Sequence, residues 1–175
     1  MGRPKAHLPF RGGTFLSVLA DTLREFCSPV VAVFGAPGVI DRAPGNVVPV
    51  ENPRYREGML TSLQAGLRIV PGAWRVLFTL VDHPAVRSDT VSRLLQSTAE
   101  ITIPRHDGKR GHPVIVSAAI AKEFLNEPGT EEVRIVINRH ASLIDYVEVD
   151  DPAIYDDVDN PERYQALMDR EAERV

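Results

Sequence analysis

The apolar run Val76-Leu77-Phe78-Thr79-Leu80-Val81 stops at Asp82, with His83 and Pro84 behind it. A run of this kind reads as a buried, parallel-type strand whose C-terminal end brings one carboxylate to the rim of a sheet. That rim is where open α/β sheets bind their ligands. A lone carboxylate there suits a hard cation such as Mg²⁺, which takes one or two carboxylates and fills its remaining positions with water and phosphate. Asp82 equally suits the cap of a helix starting near Ser88, and the run by itself leaves both readings open.

Three other stretches carry chemistry. Pro104-Arg105-His106-Asp107-Gly108-Lys109-Arg110-Gly111-His112-Pro113 gathers three extra cations and two imidazoles between two strand-like runs. It reads either as a solvated hairpin or as a loop that presents a glycine-flanked arginine to a phosphate or carboxylate. Its histidines have no metal-ligand spacing. The acidic turn from Asp150 to Glu162 includes Asp157 and Asp159 on either side of Val158, two carboxylates able to supply a second acidic ligand or to sit in solvent. The opening residues, Gly2 to Gly13, are rich in Gly and Pro and carry Arg3, Lys5 and Arg11, a basic patch in an acidic chain or a frayed terminus.

The intervening pattern alternates strand and helix. Thr14 caps a helix whose stripe is Leu16, Leu19, Leu23 and Phe26. Strands are expected at Val30 to Phe34, Val47 to Val50, Ile101 to Ile103, Val114 to Val116 and Tyr146 to Val149. Helices are expected from Met59 to Leu67, around Thr90 to Ser97, and over Ala118 to Leu125 and Glu131 to His140. Asn160 followed by Pro161 is a helix start, a capping residue and then proline at the first helical position. Gly58 and Met59 stand at a helix entrance where bare backbone can approach a ligand. The alternation predicts one α/β domain, residues 1–175, with a mostly parallel sheet.

The chain has 175 residues, enough for one substantial core, and 43% hydrophobic content. Its net charge of −4 argues against a nucleic-acid binder or a membrane-surface binder. Prolines and glycines interrupt every run before it reaches spanning length. Cys27 is the single cysteine, so a reducing compartment and a cytoplasmic location are expected.

Taken together, Met1-Gly-Arg-Pro-Lys-Ala-His-Leu-Pro-Phe10, Asn52-Pro53 with Gly58 to Leu67, Val81-Asp-His-Pro84, Gly108 to Val114 and Asp157 to Glu162 resemble the molybdenum-cofactor nucleotidyltransferase-like proteins. The nearest branch looks like molybdopterin cytidylyltransferase. The resemblance implies a three-layer Rossmann-like fold and transfer of CMP from CTP, with GTP the alternative nucleotide, to molybdopterin with release of pyrophosphate. It implies that Lys5 contacts the nucleotide phosphates, with Gly2 and Arg3 beside it. It makes Asp82 the Mg²⁺ ligand, faced by Asp157 or Asp159 in the acidic turn. It puts Gly58, Met59 and Ser62 at the nucleotide base, and Arg110, Gly111 and His112 at the pterin phosphate. A molybdoenzyme is the implied downstream partner.

One departure bears on all of this. Relatives carry a strand and a glycine-rich loop, roughly Leu-Ala-Ala-Gly-x-Ser-x-Arg, directly before Met-Gly-Arg-Pro-Lys, and this chain starts at that Met. The sheet is therefore expected to lack its first strand. Either translation starts upstream, or the protein is a catalytically impaired accessory protein for molybdoenzyme maturation. A nucleotidyltransferase acting on a sugar phosphate is a third reading.

Overall fold

A computed structural model describes residues 4–36 and 38–173, so Gly2 and Arg3 lie outside the described residues. A small hairpin, β1 (Pro9–Phe10) and β2 (Gly13–Thr14), leads into α1 (Phe15–Arg24). Thr14 caps that helix reciprocally. Its hydroxyl accepts from the Ser17 N–H and the Ser17 hydroxyl accepts from the Thr14 N–H.

The chain continues through β3 (Val31–Phe34), β4 (Val48–Glu51), α2 (Met59–Leu67), β5 (Arg75–Phe78) and α3 (Ser88–Leu95). Then follow β6 (Ile101–His106), β7 (Lys109–Arg110), β8 (Val114–Ser117), α4 (Ala118–Asn126), α5 (Val133–Arg139), β9 (Ile144–Glu148) and α6 (Pro161–Ala172). The expected elements are present, but the strand expected over Val76–Val81 ends at Phe78, so Asp82 stands in the turn that follows it; Asn160 caps α6 by accepting the Arg163 N–H, as its sequence signal required.

The longer strands run mostly parallel. β3 pairs parallel with β4, and β6 with β9. β8 is the reversed one, antiparallel to both β5 and β6, which leaves β5, β6 and β9 pointing the same way. Helices cover both faces. Ile101, Ile103, Val114 and Val116 pack under α2, α4 and α5 in the main core, with Phe124 fully buried among them. α1 and α3 lie against the other face.

The sheet is in two parts. β3 and β4 form one ladder, and β5 belongs to the five-stranded ladder with β8, β6, β7 and β9. Between β3 and β5 runs an apolar groove of about 430 Å³, roofed by α1 and α2 and lined by both strands. It lies where the resemblance expects the first strand.

A second core explains how the chain's two ends reach the sheet rim. Leu8, Phe10 and Phe15 pack with Ala85, Val158 and Leu167. The Phe10 and Phe15 rings meet edge-on at 5.7 Å, and the Tyr164 hydroxyl of α6 donates to the Pro9 carbonyl. The opening stretch is thus packed from Leu8 onward, not frayed, because it buries aromatic surface against α6.

Candidate active site

The second core sets Lys5 beside Asp82. Leu8, Phe10 and Phe15 pack on Ala85, in the segment between β5 and α3 that also carries Asp82, so the turn of 3₁₀ helix Lys5–His7 sits over that segment. The Lys5 ammonium donates to Asp82 Oδ2 at 2.9 Å, with the two side chains 29% and 19% exposed. The other carboxylate oxygen, Oδ1, is buried and accepts no hydrogen bond from the protein, with His83 Nε2 standing 3.9 Å from it.

Asp82 does not cap the helix after it. That task falls to Asp151, whose buried carboxylate accepts from the Arg87 N–H at the start of α3 and from the Thr90 hydroxyl. Asp82 is thereby left to the rim. The backbone carbonyl of Asp82 accepts the N–H of Val158, which ties the acidic turn to the strand end. Val158 is buried, and its neighbours Asp157 and Asp159 both face Arg163, Asp157 by a direct hydrogen bond and Asp159 at 3.8 Å.

The loop expected at residues 104–113 is a tight hairpin. Asp107 and Gly108 both take positive φ, 49° and 74°, which fits the two-residue turn that the twist of a strand pair favours. Arg110 lies on its second arm and donates to the Tyr146 hydroxyl. Gly111 follows, pressed so close to the backbone of Ile154 that a Cβ there would stand 1.9 Å from the carbonyl oxygen. His112 donates its N–H to that same carbonyl at 2.7 Å.

This delivers His112 onto His83, the residue after Asp82. The two imidazoles stack with centroids 5.3 Å apart, and Phe78 meets His112 edge-on. The Nδ1 atoms of both histidines are buried without partners. Burial, and secondarily the charge of His83, hold the His112 pKa down to about 4, against the pull of the Phe78 carbonyl and Asp82. The stack is therefore neutral near pH 7 on the His112 side, with free ring nitrogens at the rim.

The helix-entrance residues meet the same region from the other flank. Gly58, at φ 144°, precedes α2, and a Cβ on it would come 3.2 Å from the Gly129 carbonyl. Met59 and Ser62 line the groove together with Ala6, next to Lys5. The buried Asn52 fixes this helix start, donating to the Thr61 and Ser62 hydroxyls while its Oδ1 accepts the Arg54 N–H.

One family model, that of the MobA-like NTP transferase domain, matches residues 1–143. The chain belongs to this family. It is a nucleotidyltransferase by that membership. This NTP transferase is 28% identical to the molybdenum cofactor cytidylyltransferase of Escherichia coli K12 over 181 residues, covering 99% of this chain and 91% of that protein. It is 31% identical to the nicotine blue oxidoreductase of Paenarthrobacter nicotinovorans, covering 96% and 90%. Rv0371c of Mycobacterium tuberculosis H37Rv in complex with manganese has the same fold, with a TM-score of 0.79, 28% identity and coverage of 96% and 93%.

Of the residues singled out from sequence, the NTP transferase fold brings Lys5, Asp82, His112 and the backbone around Asp157 to one strand end. Met59 and Ser62 stand along the groove, and Arg110 is held outward on the hairpin. Two residues escaped the sequence reading. His83 carried a usable signal, an imidazole directly after the strand-end carboxylate. Asn52 stood in a segment of loop composition, and only its burial in the fold shows what it organises.

Proposed function

We propose that the protein transfers CMP from CTP to molybdopterin in the cytoplasm, with Mg²⁺ as its cofactor. The observation that supports this most is the Lys5–Asp82 pair, a cation and a half-satisfied carboxylate side by side at the end of β5. An ammonium held there is aimed at charge developing on an α-phosphate.

The residues present fit Mg²⁺. Asp82 Oδ1 is buried without a hydrogen bond, and among the described residues no group of three or more acidic, His or Cys side chains converges as a softer metal would want. Asp82 would hold the ion, with Asp157 from the adjoining turn. When bound, Mg²⁺ neutralises charge on the triphosphate.

In this reading Gly58 and Ser62 position the nucleotide base with Met59, while Gly2, Arg3 and Lys5 meet its phosphates. Arg110, Gly111 and His112 receive the pterin phosphate. An oxygen of that phosphate bonds to the α-phosphorus of CTP as the bond to the bridging oxygen breaks and pyrophosphate leaves. The attacking phosphate is already ionised, so no general base is needed, and positioning supplies most of the rate. The product serves a molybdoenzyme.

The test is molybdopterin-dependent release of pyrophosphate from CTP, run beside GTP, with and without Mg²⁺. CTP and Mg²⁺ should both be required, and Asp82→Asn should abolish the stabilisation that Mg·CTP gives in a thermal shift. An unchanged shift in that variant removes the metal assignment, and a preference for GTP or for a sugar phosphate reassigns the substrates. The open groove favours a second reading, an accessory protein that binds cofactor without turnover. Turnover by the chain as it stands ends that reading.

A further inference from the structure

The end of the sheet opposite Asp82 carries a group of side chains that nucleotidyl transfer does not use. Trp74, the single tryptophan of the chain, stands 78% exposed at the start of β5, and Ile69 is 45% exposed in the turn before it. That turn is hydrogen-bonded throughout. Ile69, Val70 and Ala73 donate their N–H groups to the carbonyls of Gly66, Leu67 and Val70. The Trp74 carbonyl accepts the N–H of Ala118, the first residue of α4. The indole is thus held out in water by a fixed backbone.

Cations gather at the same end. The Arg75 guanidinium lies 5.7 Å from the Trp74 ring centroid and donates to the Ser97 carbonyl at 2.7 Å, which joins the end of α3 to the start of β5. Arg93 is exposed in the last turn of α3, Arg68 is exposed at the C-cap of α2, and Lys122 is exposed one turn into α4. None of these four forms an ion pair among the described residues. Glu100, just ahead of β6, is already engaged by the Ser117 hydroxyl.

The helix dipole favours cations at helix C-termini, and that accounts for Arg68 and Arg93. It does not account for an exposed indole at the same place, nor for the missing carboxylates. The chain has a net charge of −4, and its exposed arginines elsewhere, Arg54, Arg134, Arg139 and Arg163, each face a carboxylate. Tryptophan and arginine are the residue types that carry most of the binding energy in protein contacts. We propose that this end is a docking surface for an acidic peptide segment of a partner protein. An apolar side chain of that segment seats on Trp74 and Ile69, and its carboxylates meet Arg68, Arg93 and Lys122. Charge selects the class of partner. A nucleic-acid backbone wants an extended basic stripe and is repelled by the acidic remainder of the chain. A short acidic segment meets the local cations alone.

Trp74 reports on its own surface, since no other tryptophan contributes to the emission. The full chain is titrated with the peptide Glu-Glu-Asp-Leu-Glu-Asp-Phe-Glu-Asp-Glu. The emission should move to shorter wavelength and saturate, and raising salt from about 0.05 M to about 0.5 M should weaken binding at least ~10-fold by screening. The same peptide with lysine at every acidic position should leave the emission unmoved. Read by calorimetry, Trp74→Ala and the double variant Arg68→Glu with Arg93→Glu should each bind the acidic peptide at least ~10-fold more weakly. Both alter exposed side chains, so both should keep the wild-type melting temperature. The proposal is overturned if the acidic peptide leaves the emission unchanged, if the lysine peptide shifts it as far, or if both variants bind like the wild type. Tighter binding of poly(U) RNA than of the acidic peptide overturns it in favour of a nucleic-acid surface. A short-wavelength emission that moves to longer wavelength when the protein alone is diluted overturns it in favour of a second copy.

Discussion

Val158 donates its N–H to the carbonyl of Asp82 at 3.0 Å, so an acidic turn near the C-terminus is stitched to the strand end that carries the candidate metal ligand. Lys5 reaches the same aspartate from the N-terminal side. Residues spread over more than 150 positions meet at one point because Leu8, Phe10, Phe15, Val158 and Leu167 share a small core.

That geometry separates the chemistry of Lys5 from its contribution to stability. The Lys5–Asp82 pair is partly exposed, and pairs of this kind contribute about 0–1 kcal/mol. Lys5→Met should lower the turnover number by ~10²–10³, the usual effect of removing one preorganised donor to a developing negative charge. Urea unfolding should shift by less than about 1 kcal/mol. A large loss of stability with little loss of turnover would make Lys5 a structural residue.

His112 should give the protein an acid-sensitive step. Its pKa in the folded state is about 4, below the ordinary histidine value of 6.5 carried by the unfolded chain. The unfolded state therefore takes up the proton first. The stability associated with neutral His112 is whole above pH 6.5 and is lost as pH falls toward 4, by up to about 2–3 kcal/mol. Unfolding measured across that window should show the loss, and His112→Gln should flatten the curve between those limits.

Gly111→Ala should destabilise by about 1–3 kcal/mol or more, as overpacking does. The added carbon falls on the backbone of Ile154, which has no flexible side-chain end to swing away. Because the same carbonyl receives the His112 N–H, the imidazole stack should be displaced too. Chemical-shift changes at His83 in this variant would report it, and a wild-type denaturation midpoint would contradict the contact.

Asn52→Ala should cost about 1–3 kcal/mol, since it strips a buried donor from Thr61 and Ser62 and an acceptor from the Arg54 N–H. If Ser62 helps seat the nucleotide, KM for the nucleotide rises at nearly constant kcat. Asn52→Asp should keep the Arg54 contact but lose the donor to Thr61, whose own hydroxyl already donates to backbone carbonyls, and should turn the Ser62 hydroxyl round to donate, so its KM should stay high.

The fold was largely readable because its signals are local. Apolar runs, the Thr14 and Asn160 caps and the stripe of α1 each declare themselves within a dozen residues. The two ways of reading Asp82 were not separable from sequence, because the decision rests on Asp151, a carboxylate more than sixty residues away that buries itself at the start of α3. The hairpin after β6 had its signal in plain view. A hairpin was one of its two readings from sequence, and Asp107-Gly108, a two-residue turn in the positive-φ region, decides for it. His83 had its signal directly after Asp82, but its stacking partner did not, because His112 is brought onto it by the Gly111–Ile154 contact.

The division of the sheet also bears on cooperativity. Among the described residues β3 and β4 have no ladder bonds across to β5, and α2 packs on both of them. They form a separate opening unit, and thermal or denaturant melting should begin there while the β5–β8–β6–β9 body stays closed. Because α2 starts at Gly58 and packs on β3, that early opening would loosen the helix entrance and leave the Asp82 strand end in place. Partial unfolding would then weaken one side of the site before the other, and the two would fail at different temperatures.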